Sequence, residues 1–141
     1  MAKHILVPYD GSDPSKRAFE TACELSTLYN ANITVITCLP IHSHVDPVMA
    51  TAYLETLKIQ KEEAMKTMKE LEPKLKKLNK YKTDVLEAIS IPDVLLSYAK
   101  SHNVDLIVIG SRGLGGFKKL LLGSVASTVS QHSECPVLIV K

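Results

Sequence analysis

Short apolar runs rich in β-branched residues alternate along the chain with stretches whose apolar positions recur every three or four residues. The runs at 4–9, 33–39, 81–88, 104–109 and 136–140 read as strands, the third being the weakest. The stretches at 13–30, 46–79, 92–102 and 124–132 read as helices. In the first, Ala18, Ala22, Leu25 and Leu28 share one face; Ser12 or Asp13 is placed to cap it, and Pro14 suits its first turn. The longest carries Leu54, Leu57, Ala64, Met68, Leu71, Leu75 and Leu78 as an apolar stripe expected to face the core. Pro73 falls inside it and predicts a kink or a split. The third helix is entered through Pro92, with Asp93 in its first turn.

Strict alternation of strand and helix predicts an α/β fold of parallel strands joined by right-handed crossovers, with helices on both faces. The near-continuous apolar runs at 104–109 and 137–140 are expected to be buried on both sides. The chain has 141 residues and shows no internal repeat, low-complexity tract or linker, so one domain spanning 1–141 is expected. Hydrophobic residues make up 45% and charged residues 23%, which excludes a disordered or fibrous chain.

Lys and Arg number 17 against 15 Asp and Glu, and the resulting +2 is too small to argue for nucleic acid or an anionic membrane. Nine of the 17 basic residues lie between Lys58 and Lys82, interleaved with Glu62, Glu63, Glu70 and Glu72, as on the wet face of a helix. Trp is absent and aromatics are 5%, which disfavours a base-stacking surface. Cys23, Cys38 and Cys135 are too far apart for a zinc site and odd in number for a disulfide framework. Reduced, buried thiols in a cytoplasmic protein are expected. The apolar segment at 5–9 is too short for a signal sequence or a membrane span.

In an open α/β sheet, ligands bind beyond the carboxyl ends of the strands, where the strand order reverses. If the order is 3-2-1-4-5, that place lies between strands 1 and 4. Strand 1 ends at Tyr9-Asp10-Gly11-Ser12. Strand 4 runs into Gly110-Ser111-Arg112-Gly113-Leu114-Gly115-Gly116, and then to Gly123-Ser124. Four of the six glycines fall within 110–116 and a fifth is Gly123. Glycines let a backbone approach a ligand closely, and the helix starting near Gly123-Ser124 offers free N–H groups and the positive end of its dipole to an anion. Arg112, Lys118 and Lys119 add positive charge. Asp10 stands opposite, able to accept from a ribose hydroxyl or an adenine amino group, or to help hold a metal. For a lone glycine a tight turn would suffice as explanation, with Ser124 only a cap; together these features favour a phosphate-bearing ligand. No Gly-x-x-x-x-Gly-Lys-Ser/Thr is present, and the first turn lacks Gly-x-Gly-x-x-Gly.

Gly110-x-x-Gly113, nine residues, then Gly123-Ser124 resembles the nucleotide motif of the universal stress protein family, in its ATP-binding branch. The segments at 5–12, 105–110 and 135–140 are similar to the same family, and the likeness covers essentially the whole chain except 46–80. The resemblance implies a Rossmann-like, adenine nucleotide alpha hydrolase-like sheet of order 3-2-1-4-5. It implies ATP, with Mg²⁺ or Mn²⁺, as ligand. Pro8, Tyr9 and Asp10 would lie by adenine and ribose, and Cys38 and Ile109 would line the adenine pocket. Gly110 and Gly113 would border ribose and phosphates, with Arg112, Gly115 and Gly116 in the same loop. Gly123, Ser124 and Val125 would hold the phosphates. It also implies a homodimer through the last strand, 137–140, which agrees with the need to cover an apolar edge.

Catalysis is not expected beyond slow ATP hydrolysis or autophosphorylation, at Ser124 or a nearby hydroxyl, because no Walker lysine and no general base other than Asp10 is evident. Two alternatives share the fold: a nucleotide-free dimeric interaction module, and a binder of another adenine nucleotide such as AMP. His42, His44 and Asp46 have metal-ligand chemistry, but no fourth ligand is evident nearby and a solvated loop is the preferred reading. A response-regulator receiver is set aside, since Asp10 lacks an acidic partner after strand 1 and strand 3 offers Glu87 where an aspartate is needed.

Overall fold

The first helix shows why the elements form where they do. Ser12 stands in extended backbone and its hydroxyl accepts the Ser15 N–H at 3.3 Å, so Ser12 and not Asp13 is the cap. Pro14 occupies the first turn, where its missing N–H costs nothing. Asn30, at φ 52°, ends the helix in the left-handed region. The computed structural model describes residues 2–114 and 122–141. In chain order they form β1 (His4–Pro8), α1 (Asp13–Tyr29), β2 (Asn32–Pro40), a 3-10 turn (Pro47–Met49), α2 (Ala50–Leu75), β3 (Tyr81–Ala88), α3 (Ile91–Ser101), β4 (Leu106–Gly110), α4 (Ser124–His132) and β5 (Val137–Val140).

The strands make one parallel sheet in the order β3-β2-β1-β4-β5. Alternate side chains go to opposite faces. Ile5, Val7 and Tyr9 pack with Phe19 of α1 and with Met68, Leu71 and Leu75 of α2. Leu6 joins Ile107, Ile109, Leu95 of α3 and Val129 of α4 on the other face. β4 is buried on both sides, as its composition predicts. β5 is not. It is the sheet edge, with one strand neighbour, and Leu138 is 39% exposed.

Several helical expectations need correction. The 46–79 stretch is not one helix, because the Asp46 carboxylate accepts the Val48 N–H at 3.0 Å and caps a short 3-10 turn before α2 starts. Pro73 does not split α2. It lies in the last turn, two residues before the end, where little helix remains to be disrupted. Only the second half of the apolar stripe, Ala64, Met68, Leu71 and Leu75, is buried, whereas Leu54 is 62% exposed. In α1, Leu28 is also exposed, since six residues beyond Ala22 places it about 120° around the helix from the buried stripe. Among the described residues no helix is long and apolar enough to cross a membrane.

Candidate functional site

Beyond the ends of β1 and β4, two loops meet through Asp10. Gly11 takes φ +83°, a conformation that glycine adopts freely, and turns the chain from β1 towards α1. One Asp10 carboxylate oxygen accepts the Ser12 N–H at 2.9 Å; the other accepts the Leu114 N–H at 3.1 Å, across the switch point. The Ser12 hydroxyl reaches the same loop, at 3.4 Å from the Arg112 carbonyl. Asp10 remains exposed, so solvent or a ligand can compete for its oxygens.

The two halves of the glycine motif are brought together. The Gly123 N–H donates to the Ser111 carbonyl at 2.6 Å, which sets the start of α4 against the loop after β4. A Cβ on Gly123 would lie 3.2 Å from both Arg112 Cα and the Ser111 oxygen. Gly123 is the N-cap and brings no side-chain cap, so Ser124 is the first helical residue and does not cap α4. The first amides of α4 therefore meet no capping side chain, and the Ser124 hydroxyl is exposed. Gly110 has a packing reason as well. Its Cβ would sit 2.7 Å from the Pro14 carbonyl carbon and 2.8 Å from the Ser15 nitrogen. A Cβ on Gly113 would instead meet the end of a side chain, Asp10 Oδ2, at 2.7 Å.

Cys38 and Ile109 both lie on the α3/α4 face, with Val125 partly buried against the same cluster. Tyr9 differs. Its ring is on the α1/α2 face, edge-on to Phe19 with ring centres 6.1 Å apart, so only its backbone is near the crevice. Burial first, then the charges of Glu70 and Asp10, raises the Tyr9 phenol above its ordinary value. Pro8 is half-buried just before it. Burial also pushes the Cys38 thiol up to about 11, which keeps it protonated and unreactive at neutral pH. Gly115, Gly116, Lys118 and Lys119 lie outside the described residues.

A cavity of about 380 Å³ opens on the α1 side of the crevice, lined by Gly11, Ser12, Asp13, Pro14, Arg17, Arg112, Gly113 and Leu114. Arg17 escaped the sequence reading. Its position four residues after Asp13, one turn into α1, was the available signal. The His42, His44 and Asp46 group is not gathered around a point: Asp46 caps the 3-10 turn, and the His42 N–H donates to the Tyr53 hydroxyl at 3.0 Å. Among the described residues no three His, Cys, Asp or Glu side chains are placed to hold a metal.

The universal stress protein family model matches residues 1–141. The chain belongs to that family. This universal stress protein is 30% identical over 140 residues to a universal stress protein of Methanocaldococcus jannaschii, covering 99% of this chain and 82% of that one. UspA from Lactobacillus plantarum has the same fold, with a TM-score of 0.92 and 26% identity over 99% of this chain and 98% of that one. A universal stress protein solved in complex with cAMP matches at a TM-score of 0.69 and 26% identity, covering 99% and 96% of the two chains. The sheet order 3-2-1-4-5 is the one the family resemblance implies.

Proposed function

We propose that this universal stress protein binds an adenine nucleotide, ATP with Mg²⁺ or Mn²⁺, between the ends of β1 and β4, and that occupancy acts as a stress signal in the cytoplasm. The observation that carries the reading is the 2.6 Å bond from the Gly123 N–H to the Ser111 carbonyl, which sets an uncapped helix start beside the Gly110-x-x-Gly113 loop and opposite Asp10. Backbone amides and a helix dipole there favour phosphate. Cys38 and Ile109 offer apolar surface to a base on the α3/α4 side. The relative solved with cAMP supports an adenine nucleotide as the ligand class. A hard divalent cation on a nucleotide takes its oxygens chiefly from phosphates and water plus one or two carboxylates. Asp10 fits that role, with Asp13 on the rim, and the cation would neutralise phosphate charge. No residue is assigned to catalysis. In the reading, two copies pair through β5.

Substituting Gly123→Val places a branched side chain against Arg112 and Ser111. ATP binding and the stress phenotype of the cell are expected to fall together, with the thermal midpoint confirming a folded variant. Survival of the phenotype without ATP binding would overturn the signalling role in favour of a nucleotide-free interaction module.

A further inference from the structure

The cavity on the α1 side of the crevice contains chemistry that adenine recognition does not use. Arg17 and Arg112 both line it. The ion pairs among the described residues are Lys74 with Glu20 and Lys100 with Glu134, so neither arginine pairs with an Asp or Glu side chain there. Asp13 lines the same cavity, one turn from Arg17, without pairing to it. Arg17 Nε donates to the main-chain oxygen of Lys141 at 2.6 Å, which orients the guanidinium and leaves its two terminal nitrogens for other partners. The start of α1 is already capped by Ser12, so the donors on offer are side chains, not helix amides.

We propose that this cavity is a phosphoryl subsite in which Arg17 and Arg112 hold one tetrahedral phosphate group. A carboxylate is satisfied by a single guanidinium fork, whereas a doubly charged phosphoryl group with three free oxygens matches two. The group comes either from the outer phosphates of the nucleotide, in which case the proposal rests on the nucleotide reading, or from a free polyphosphate, in which case it does not.

The test is calorimetric titration of nucleotide-free protein with ATP, AMP and inorganic tripolyphosphate, for the wild type, Arg17→Ala and Arg17→Lys. AMP should bind all three proteins equally. Arg17→Ala should weaken ATP or tripolyphosphate by about tenfold or more, the scale of one lost charge-assisted contact. Arg17→Lys should recover part of the loss, because it keeps the charge without the fork. A loss with ATP assigns the subsite to the nucleotide's outer phosphates; a loss confined to tripolyphosphate assigns it to a free polyphosphate. Unchanged affinity for both, or an equal loss for AMP, would overturn the proposal. Failure of ATP and AMP to bind the wild type would instead remove the nucleotide reading, with tripolyphosphate still testing the subsite. If Arg17→Ala does not fold, Arg17→Gln, which keeps the length and polarity of the side chain without its charge, takes its place with the same ligands.

Discussion

Gly110 and Gly113 stand three residues apart in one loop and have different reasons to lack a side chain. At Gly110 an added Cβ would press into the backbone of Pro14 and Ser15 at 2.7 and 2.8 Å, so β4 and the start of α1 would have to separate. At Gly113 it would press on Asp10 Oδ2, the far end of a side chain that can turn away by giving up its bond to the Leu114 N–H. Gly110→Ala is therefore expected to lower unfolding stability by about 1–3 kcal/mol, the usual cost of overpacking. Gly113→Ala should cost less, about 0.5–1 kcal/mol, the worth of the exposed Asp10–Leu114 hydrogen bond. It should weaken ATP by about tenfold, because the displaced carboxylate loses a charge-assisted contact to the ligand. Urea titration and calorimetry on the two variants separate these effects; equal stability losses would contradict the assignment. The sequence shows five clustered glycines and cannot sort them, since what each would strike belongs to another segment of the chain. Tyr9 illustrates the same limit. Its place in the motif suggested a ligand contact, but strand alternation sends its ring to Phe19 on the far face.

At the scale of elements, what the sequence revealed best were units whose signals are local. β3 runs Tyr81–Ala88 and α4 runs Ser124–His132, as the patterning predicts. The first half of α2 was misjudged because an apolar stripe reveals a face without saying whether the sheet extends beneath it. Leu54 is on the stripe and 62% exposed. β5 takes the edge position that the order 3-2-1-4-5 implies, but its apolar run overstated its burial, since Leu138 is 39% exposed. An exposed apolar edge is the surface that pairing with a second copy would cover. Leu138→Asp should convert a dimer to a folded monomer, as read by sedimentation. A wild-type protein that is already monomeric, or a variant that stays dimeric, would contradict pairing through β5.

The whole molecule places its chemistry where parallel topology requires it. β1 and β4 are neighbours whose connections leave in opposite directions across the sheet, so their carboxyl ends open a crevice between the loops that follow them. Asp10 bridges that crevice to Leu114, and Gly123 joins the start of α4 to Ser111. The central strands β1 and β4 beneath are buried on both faces and form a rigid base for the loops at their ends. The fold was legible as a whole because alternation of strand and helix admits few parallel arrangements. The central claim is that this crevice binds ATP. Titration of the emptied protein with ATP and Mg²⁺ tests it most directly. Saturable binding with a micromolar dissociation constant is expected, on the order of 8 kcal/mol of binding free energy. No heat at millimolar ATP would contradict it, and would make the glycine loop a structural turn.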